Sequence, residues 1–331
     1  MRARLLNLSL LLASLLFVEI LLRLFDPIGI AHFAEIRKYQ HGLTFGGVYG
    51  YLHTPGYRAR VQGVDVVINE HGLRGPSTPL AKPAGTRRLL ILGDSVVFGW
   101  GAPQDSIFPA RLQRELAARD SSVEVVAAGV ASWNTRTEYE WLRTQGLLFE
   151  PDALLLVVVG NDADPIYVGH SDVPRDSLFG PETPRRALGS ALRDAWQRAY
   201  RRSRILAYVQ YARVFARQQG IESAGYPPDS PRWRDARLAL DGIIATCDEN
   251  RIELVVFLYG DDERVEKSGV LRAYRDHLAA RGLPAQTLPK TLFDDRRYRN
   301  SIVDGHENAA GHAVLAKVID DVITPRIARP E

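Results

Sequence analysis

Four short, almost unbroken apolar runs constrain this chain most: "RLLILG" at residues 88–93, "VEVVAAG" at 123–129, "DALLLVVVG" at 152–160 and "IELVVFLYG" at 252–260. A run this short that is apolar on both faces reads as a strand covered on both sides. Helical spacing lies between the runs, as in "SIFPARLQRELAAR" with Ile107, Leu112 and Leu116, and in "TEYEWLRTQGLL". "NAAGHAVLAKVIDDVI" closes the chain with another helix. Strands alternating with helices predict an α/β fold, a flavodoxin-like three-layer α/β/α sandwich around a parallel sheet of about five strands, the fifth near Leu288. Ligands of such sheets bind beyond the carboxyl ends of the strands, so the residues following each run are the ones to read for chemistry.

The rest of the chain divides around this domain, which is expected to span about residues 86–325. Residues 5–22, "LLNLSLLLASLLFVEILL", follow Arg2 and Arg4 and are long enough to cross a bilayer. The one carboxylate in the run, Glu19, can pair with Arg23 one helical turn on. No small-residue cleavage site follows in "RLFDP", and no lipoprotein cysteine lies nearby, so residues 1–25 read as an uncleaved membrane anchor. Basic residues flank both ends of the run; a short amino-terminal tail that stays cytoplasmic places the bulk of the chain in the periplasm or otherwise outside the cytoplasm. Residues 26–85 read as a linker with a small extension, Val64–Ile68 being a strand. A long insertion is expected at about residues 164–235. Its stretch 185–217 holds nine arginines and one acid, with Leu188, Leu192, Trp196, Tyr200, Ala207, Tyr211 and Phe215 at roughly helical spacing. That pattern fits a solvated helix packed on the domain, a lid, or a contact with anionic lipid or polysaccharide.

A formal net charge of +3 over 331 residues gives little reason to expect a nucleic-acid partner, and Cys247, the single cysteine, rules out an intramolecular disulfide and any zinc-type cysteine cluster.

The residues after the runs form a pattern. The first run ends in Gly93-Asp94-Ser95, the second in Gly129, the third in "GND" with Asn161 and Asp162, and the loop before the last helix reads "VDGHENAAGH" with Asp304 and His306. Taken singly, Ser95 reads as a helix cap more readily than as a nucleophile, and Asn161, Asp162 and Asp304 are ordinary caps. His312, inside the last helix, reads as structural. Taken together they supply one reaction. A serine hydroxyl needs an adjacent base, His306; the base needs a carboxylate to hold its tautomer, Asp304; and a tetrahedral intermediate needs donors, for which the N–H groups of Ser95 and Gly129 and the amide of Asn161 are candidates. Asp94 is expected to support the serine turn.

The order "GDS…G…GND…DGH" resembles the SGNH/GDSL hydrolases over about residues 64–322, and "NEHGLRG", "GDSVVFGWGAP" and "GVASWNTRTEYEWL" are similar to a membrane-anchored bacterial branch of that group. The resemblance implies Ser95 as nucleophile, Gly129 and Asn161 as oxyanion donors with the Ser95 N–H, and Asp304 and His306 as acid and base. The sequence departs from the pattern twice: Gly160 directly precedes Asn161, and a single residue separates Asp304 from His306, a spacing similar to that of SGNH-type polysaccharide O-acetyltransferases. The expected activity is a serine esterase acting on an ester-bearing small molecule, glycan or lipid through an acyl-enzyme, with no metal or organic cofactor. An O-acyltransferase acting on a cell-surface polysaccharide and a non-catalytic, membrane-tethered assembly protein are the alternatives.

Overall fold

The computed structural model describes residues 2–164 except 27 and 47, residues 191–221 except 193, 194, 197, 200 and 201, and residues 230–327. Helix α1 (Arg2–Phe25) is followed by α2 (His32–Gln40) and by two antiparallel hairpins, β1 (Leu43–Phe45) with β2 (Tyr51–His53) and β3 (Arg58–Val61) with β4 (Val64–Val67). The main domain then runs β5 (Arg87–Gly93), α3 (Ser95–Phe98), α4 (Phe108–Arg119), β6 (Val123–Gly129), α5 (Thr135–Thr144) and β7 (Ala153–Val158). After the insertion helix α6 (Arg204–Ile221) come α7 (Pro231–Asn250), β8 (Glu253–Leu258), α8 (Asp262–Lys267), α9 (Gly269–Ala280), α10 (Lys290–Asp294) and α11 (Ala309–Ile327). Of the expected insertion, residues 165–190, including Leu188, and Tyr200 lie outside the described residues.

The central sheet is parallel, in the order β6-β5-β7-β8. Among the described residues it has four strands, where about five were expected. Near Leu288 the chain only brushes the edge: the Gln286 N–H donates to Val256 O and Leu258 N–H donates to Gln286 O, both at 2.8 Å, a single bridge. Pro284 and Pro289 bracket this stretch, and a residue without an N–H ends a ladder.

The apolar runs divide by residue parity, as a pleated strand requires. Leu90, Leu92, Leu154, Leu156, Val256 and Leu258 face one layer with Trp141, Leu240, Ile243 and Tyr274, while Leu89, Ile91, Leu155, Val157, Val255 and Phe257 face the other with Leu112, Leu315, Ile319 and Ile323. A third, smaller core joins Tyr39, Val61, Val66 and Ile68 of the amino-terminal extension to Phe98 and Trp100, directly after the first sheet strand. The segment expected to be mainly linker is therefore packed against the sheet end where the chemistry was sought. Helix α1 touches the insertion through Glu19 and Arg23 but is otherwise uncovered: an 18-residue window within Arg4–Phe25 has a mean hydropathy of 2.4, and none of that window is buried.

Candidate active site

Ser95 is the first residue of α3, set there by a sharp strand-to-helix turn. Asp94 caps the helix, its Oδ1 accepting from Val96 N–H at 2.9 Å. The structure brings three of the predicted residues into one hydrogen-bonded chain. Ser95 Oγ lies 2.9 Å from His306 Nε2, and His306 Nδ1 lies 2.6 Å from Asp304 Oδ1. Asp94 Oδ2 is a second acceptor for the Ser95 hydroxyl at 3.1 Å; with one proton, the hydroxyl serves only one of the two at a time.

The 299–306 loop holds the base in place. Asp304 N–H donates to Ser301 Oγ at 3.0 Å, His306 N–H donates to Asp304 Oδ1 at 3.2 Å, and the Asn300 amide reaches Asp304 Oδ2 at 3.2 Å and Trp100 O at 2.8 Å. Burial works against charge on Asp304, but the hydrogen bonds from His306 and His32 outweigh it and hold the carboxyl below its usual range. Burial also works against an imidazolium at His306; the hydrogen bond and charge of Asp304 overcome it, and the ring's pKa is raised. Burial raises Asp94, opposed by its helix-capping bonds.

His306 and Ser95 open onto a cavity of about 190 Å³ whose other walls include Trp100, Ala131, Ser132, Ile36, Tyr39 and Tyr51. Gly129 lies elsewhere. It is the last residue of β6, opposite Gly93, and a Cβ there would stand 2.2 Å from Phe98 N, so this glycine lets α3 sit on the sheet. β6 runs on through residue 129, and the chain borders the cavity at Ala131 and at Ser132, the latter held at φ +66°. Side chains rarely adopt that region. Two tyrosines of the extension fix the turn: the Tyr39 hydroxyl accepts from Ala131 N–H at 2.9 Å and the Tyr51 hydroxyl donates to Ala131 O at 2.8 Å. Asn161 is exposed just past β7, in a turn closed by Asp164 N–H donating to Asn161 O at 2.8 Å. Asp162 beneath it is buried and its Oδ2 accepts from Val159 N–H at 3.1 Å. Burial, together with mutual repulsion from nearby Glu138 on α5, pushes the Asp162 carboxyl well above its usual range.

Three contributors were not singled out from the sequence. Ser132 is one. Arg74, inside "NEHGLRG", is buried and donates to Phe98 O, Gly99 O and Ala102 O at 2.9, 2.7 and 2.8 Å, tying down the loop after the nucleophile helix. Burial lowers its pKa to about 10, which leaves it charged at neutral pH. His32 is the third: its Nδ1 lies 3.3 Å from Asp304 Oδ2, on the side away from His306. His312 is fully buried and accepts from Phe108 N–H at 3.2 Å, a structural role. Among the described residues no group of His, Cys, Asp and Glu is arranged to hold a metal.

No similar sequence is found among curated proteins. Among solved structures, a lipase/acylhydrolase from Enterococcus faecalis is similar over 74% of this chain and 100% of its own, at 15% identity and a TM-score of 0.41. A psychrotrophic esterase from Pseudoalteromonas sp. is similar over 72% of this chain and 98% of its own, at 11% identity and a TM-score of 0.46. The family model of GDSL-like lipases and acylhydrolases matches residues 91–314, more than half of the sequence and the span that carries Ser95, Asp304 and His306, and the chain belongs to that family.

Proposed function

We propose that this protein is a membrane-anchored serine esterase that cleaves O-acyl esters of carbohydrate or lipid through an acyl-enzyme on Ser95, with its catalytic domain outside the cytoplasm. The observation that carries the reading is the continuous chain from Ser95 Oγ through His306 to Asp304, at 2.9 and 2.6 Å, opening onto a cavity. His306 takes the hydroxyl proton at Nε2 as Oγ attacks the ester carbonyl, then returns it to the departing alcohol. Water, deprotonated by the same nitrogen, then attacks the acyl-enzyme and frees Ser95 with release of the acid. Asp304 keeps the proton on Nδ1, so that Nε2 is free to accept. A fluorophosphonate probe is expected to label the detergent-solubilised full chain at Ser95 alone, alongside turnover of p-nitrophenyl acetate. An unlabelled, inactive protein would instead support a non-catalytic assembly role.

For the oxyanion, the Ser95 N–H and the Asn161 amide keep their expected roles, and the Ser132 N–H replaces that of Gly129. Ser132 borders the cavity, and its N–H has no acceptor among the described residues. Ser132→Pro removes this donor and demands a φ near −65°, so kcat is expected to fall by about 10²–10³. Ser132→Gly keeps the N–H and tolerates the positive φ, so its kcat is expected within about threefold of wild type. Equal losses in both variants, measured on p-nitrophenyl acetate, would show that the side chain and not the N–H is what matters.

A further inference from the structure

The catalytic loop is built onto the segment that leaves α1. Helix α1 ends at Phe25. The next residue folds the chain back: Asp26 accepts from Ile30 N–H at 2.6 Å and from Ala31 N–H at 2.9 Å. Within this tight turn, Ile28 O accepts from Val303 N–H of the catalytic loop at 3.1 Å. At Gly29 a Cβ would fall 2.3 Å from Ser301 Oγ, so the Gly29 backbone packs directly on the Ser301 side chain. His32 follows at once, 3.3 Å from Asp304, its ring 6.4 Å from that of His306. With the turn closed by Asp26, the end of α1 and His32 stand within about 15 Å, from a spacing of 3.8 Å between consecutive Cα atoms.

A second contact fixes the same face. Glu19 of α1 accepts from Ser203 Oγ at 2.9 Å and from Arg204 N–H and Ile205 N–H at 2.8 and 3.1 Å, capping α6. Arg23 donates both to Glu19 and to Arg202 O. Glu19 lies six residues before Phe25, which is about 9 Å along a helix axis. If α1 crosses a bilayer, α6 therefore begins at or below the headgroup layer. Val209 of α6 is 43% exposed, and the Arg202 and Arg204 side chains flank the junction. Apolar and cationic groups in this arrangement suit an anionic bilayer surface. The short turn after α1 thus keeps the catalytic loop close to the end of that helix, and Glu19 ties α6 to the same helix.

We infer that the ester delivered to Ser95 is borne by a lipid of the bilayer that holds α1, reaching the cavity without leaving the interface. This rests on the membrane-anchored esterase reading. The chemistry is the hydrolysis above: the acyl C–O bond to the lipid alcohol breaks, a C–O bond to water forms, and the lipid alcohol stays in the bilayer. The test uses the full chain reconstituted in phosphatidylcholine–phosphatidylglycerol vesicles. Release of acetate is followed from 1,2-dioleoyl-3-acetylglycerol in the same bilayer and from soluble triacetin, which presents the same kind of ester bond. A second protein carries a twelve-residue Gly/Ser spacer between Phe25 and Asp26 together with Glu19→Ala, which frees the domain from both attachments while leaving the cavity residues unchanged.

Wild type is expected to cleave both esters, and the ratio of lipid to soluble rate is expected to fall more than threefold in the released variant while its triacetin rate holds. A ratio unchanged within threefold overturns the inference. So does a wild type that cleaves triacetin but not the lipid acetate, whatever the variant does. A wild type that cleaves neither overturns the esterase reading itself.

Discussion

Ser95→Ala is expected to lower kcat/KM on p-nitrophenyl acetate by a factor on the order of 10⁵ to 10⁶, the loss seen when a serine nucleophile is removed from an intact triad. The structure explains why so little else should change. Ser95 is the first residue of α3, but the cap of that helix is Asp94, and the Ser95 hydroxyl reaches only His306 and Asp94. Alanine favours a helix more than serine does, so the melting temperature should stay within a few degrees. A variant that melts normally and retains more than a hundredth of wild-type turnover would remove Ser95 from the mechanism. The comparison also separates the two roles open to a serine at this position: a cap would cost stability, a nucleophile costs only rate.

That ambiguity marks where sequence reading works in this fold and where it stops. The sheet was legible because its strands are buried on both faces, and a covered parallel strand leaves an unbroken apolar run. Ser95, Asp304 and His306 were legible because a parallel sheet gathers the ends of its strands and the last loop at one edge, where the three meet. Gly129 was expected beside the nucleophile as a donor, and the structure puts it at the end of β6, three residues before Ser132. Its two neighbours in sequence, Ala128 and Val130, are apolar and buried, so nothing local says whether the strand stops at 129 or runs through it, and a glycine fits both an oxyanion turn and a close helix approach. The deciding fact is long-range: the backbone of Phe98 lies where the Gly129 Cβ would be.

The extension was hidden for a related reason. Tyr39 and Tyr51 act on Ala131, some eighty to ninety residues away in sequence, and His32 acts on Asp304, farther still. Their own neighbourhood shows short hairpins and no strong periodicity, which reads as a connection. The fifth strand failed in the opposite sense: a strand was expected near Leu288, but Pro284 and Pro289 bracket the stretch and leave only a bridge.

Asp304→Asn is expected to lower kcat by about 10⁴ with KM changed by no more than about threefold, because Asp304 touches His306 and not the cavity. An asparagine amide in that place can donate to Nδ1, which selects the ring form whose Nε2 carries the proton and cannot accept one from Ser95. The pH profile should move as well. His306 must be neutral to act as base, and its raised pKa places the acid limb of wild-type kcat/KM above 6.5, with activity lost as pH falls through it. Burial lowers that pKa, while the hydrogen bond His306 gives to Asp304, then the charge of Asp304 and those of Asp94 and Glu307, raise it. Asparagine removes the charge and leaves the burial, so the ring gives up its proton at lower pH and the acid limb of the residual activity should shift down. A purely structural collapse of the 299–306 loop would abolish activity at every pH without moving the limb. The downward shift therefore separates electrostatic positioning from loss of fold, and a variant within tenfold of wild-type kcat, or one whose limb moves up, would show that Asp304 does not orient His306.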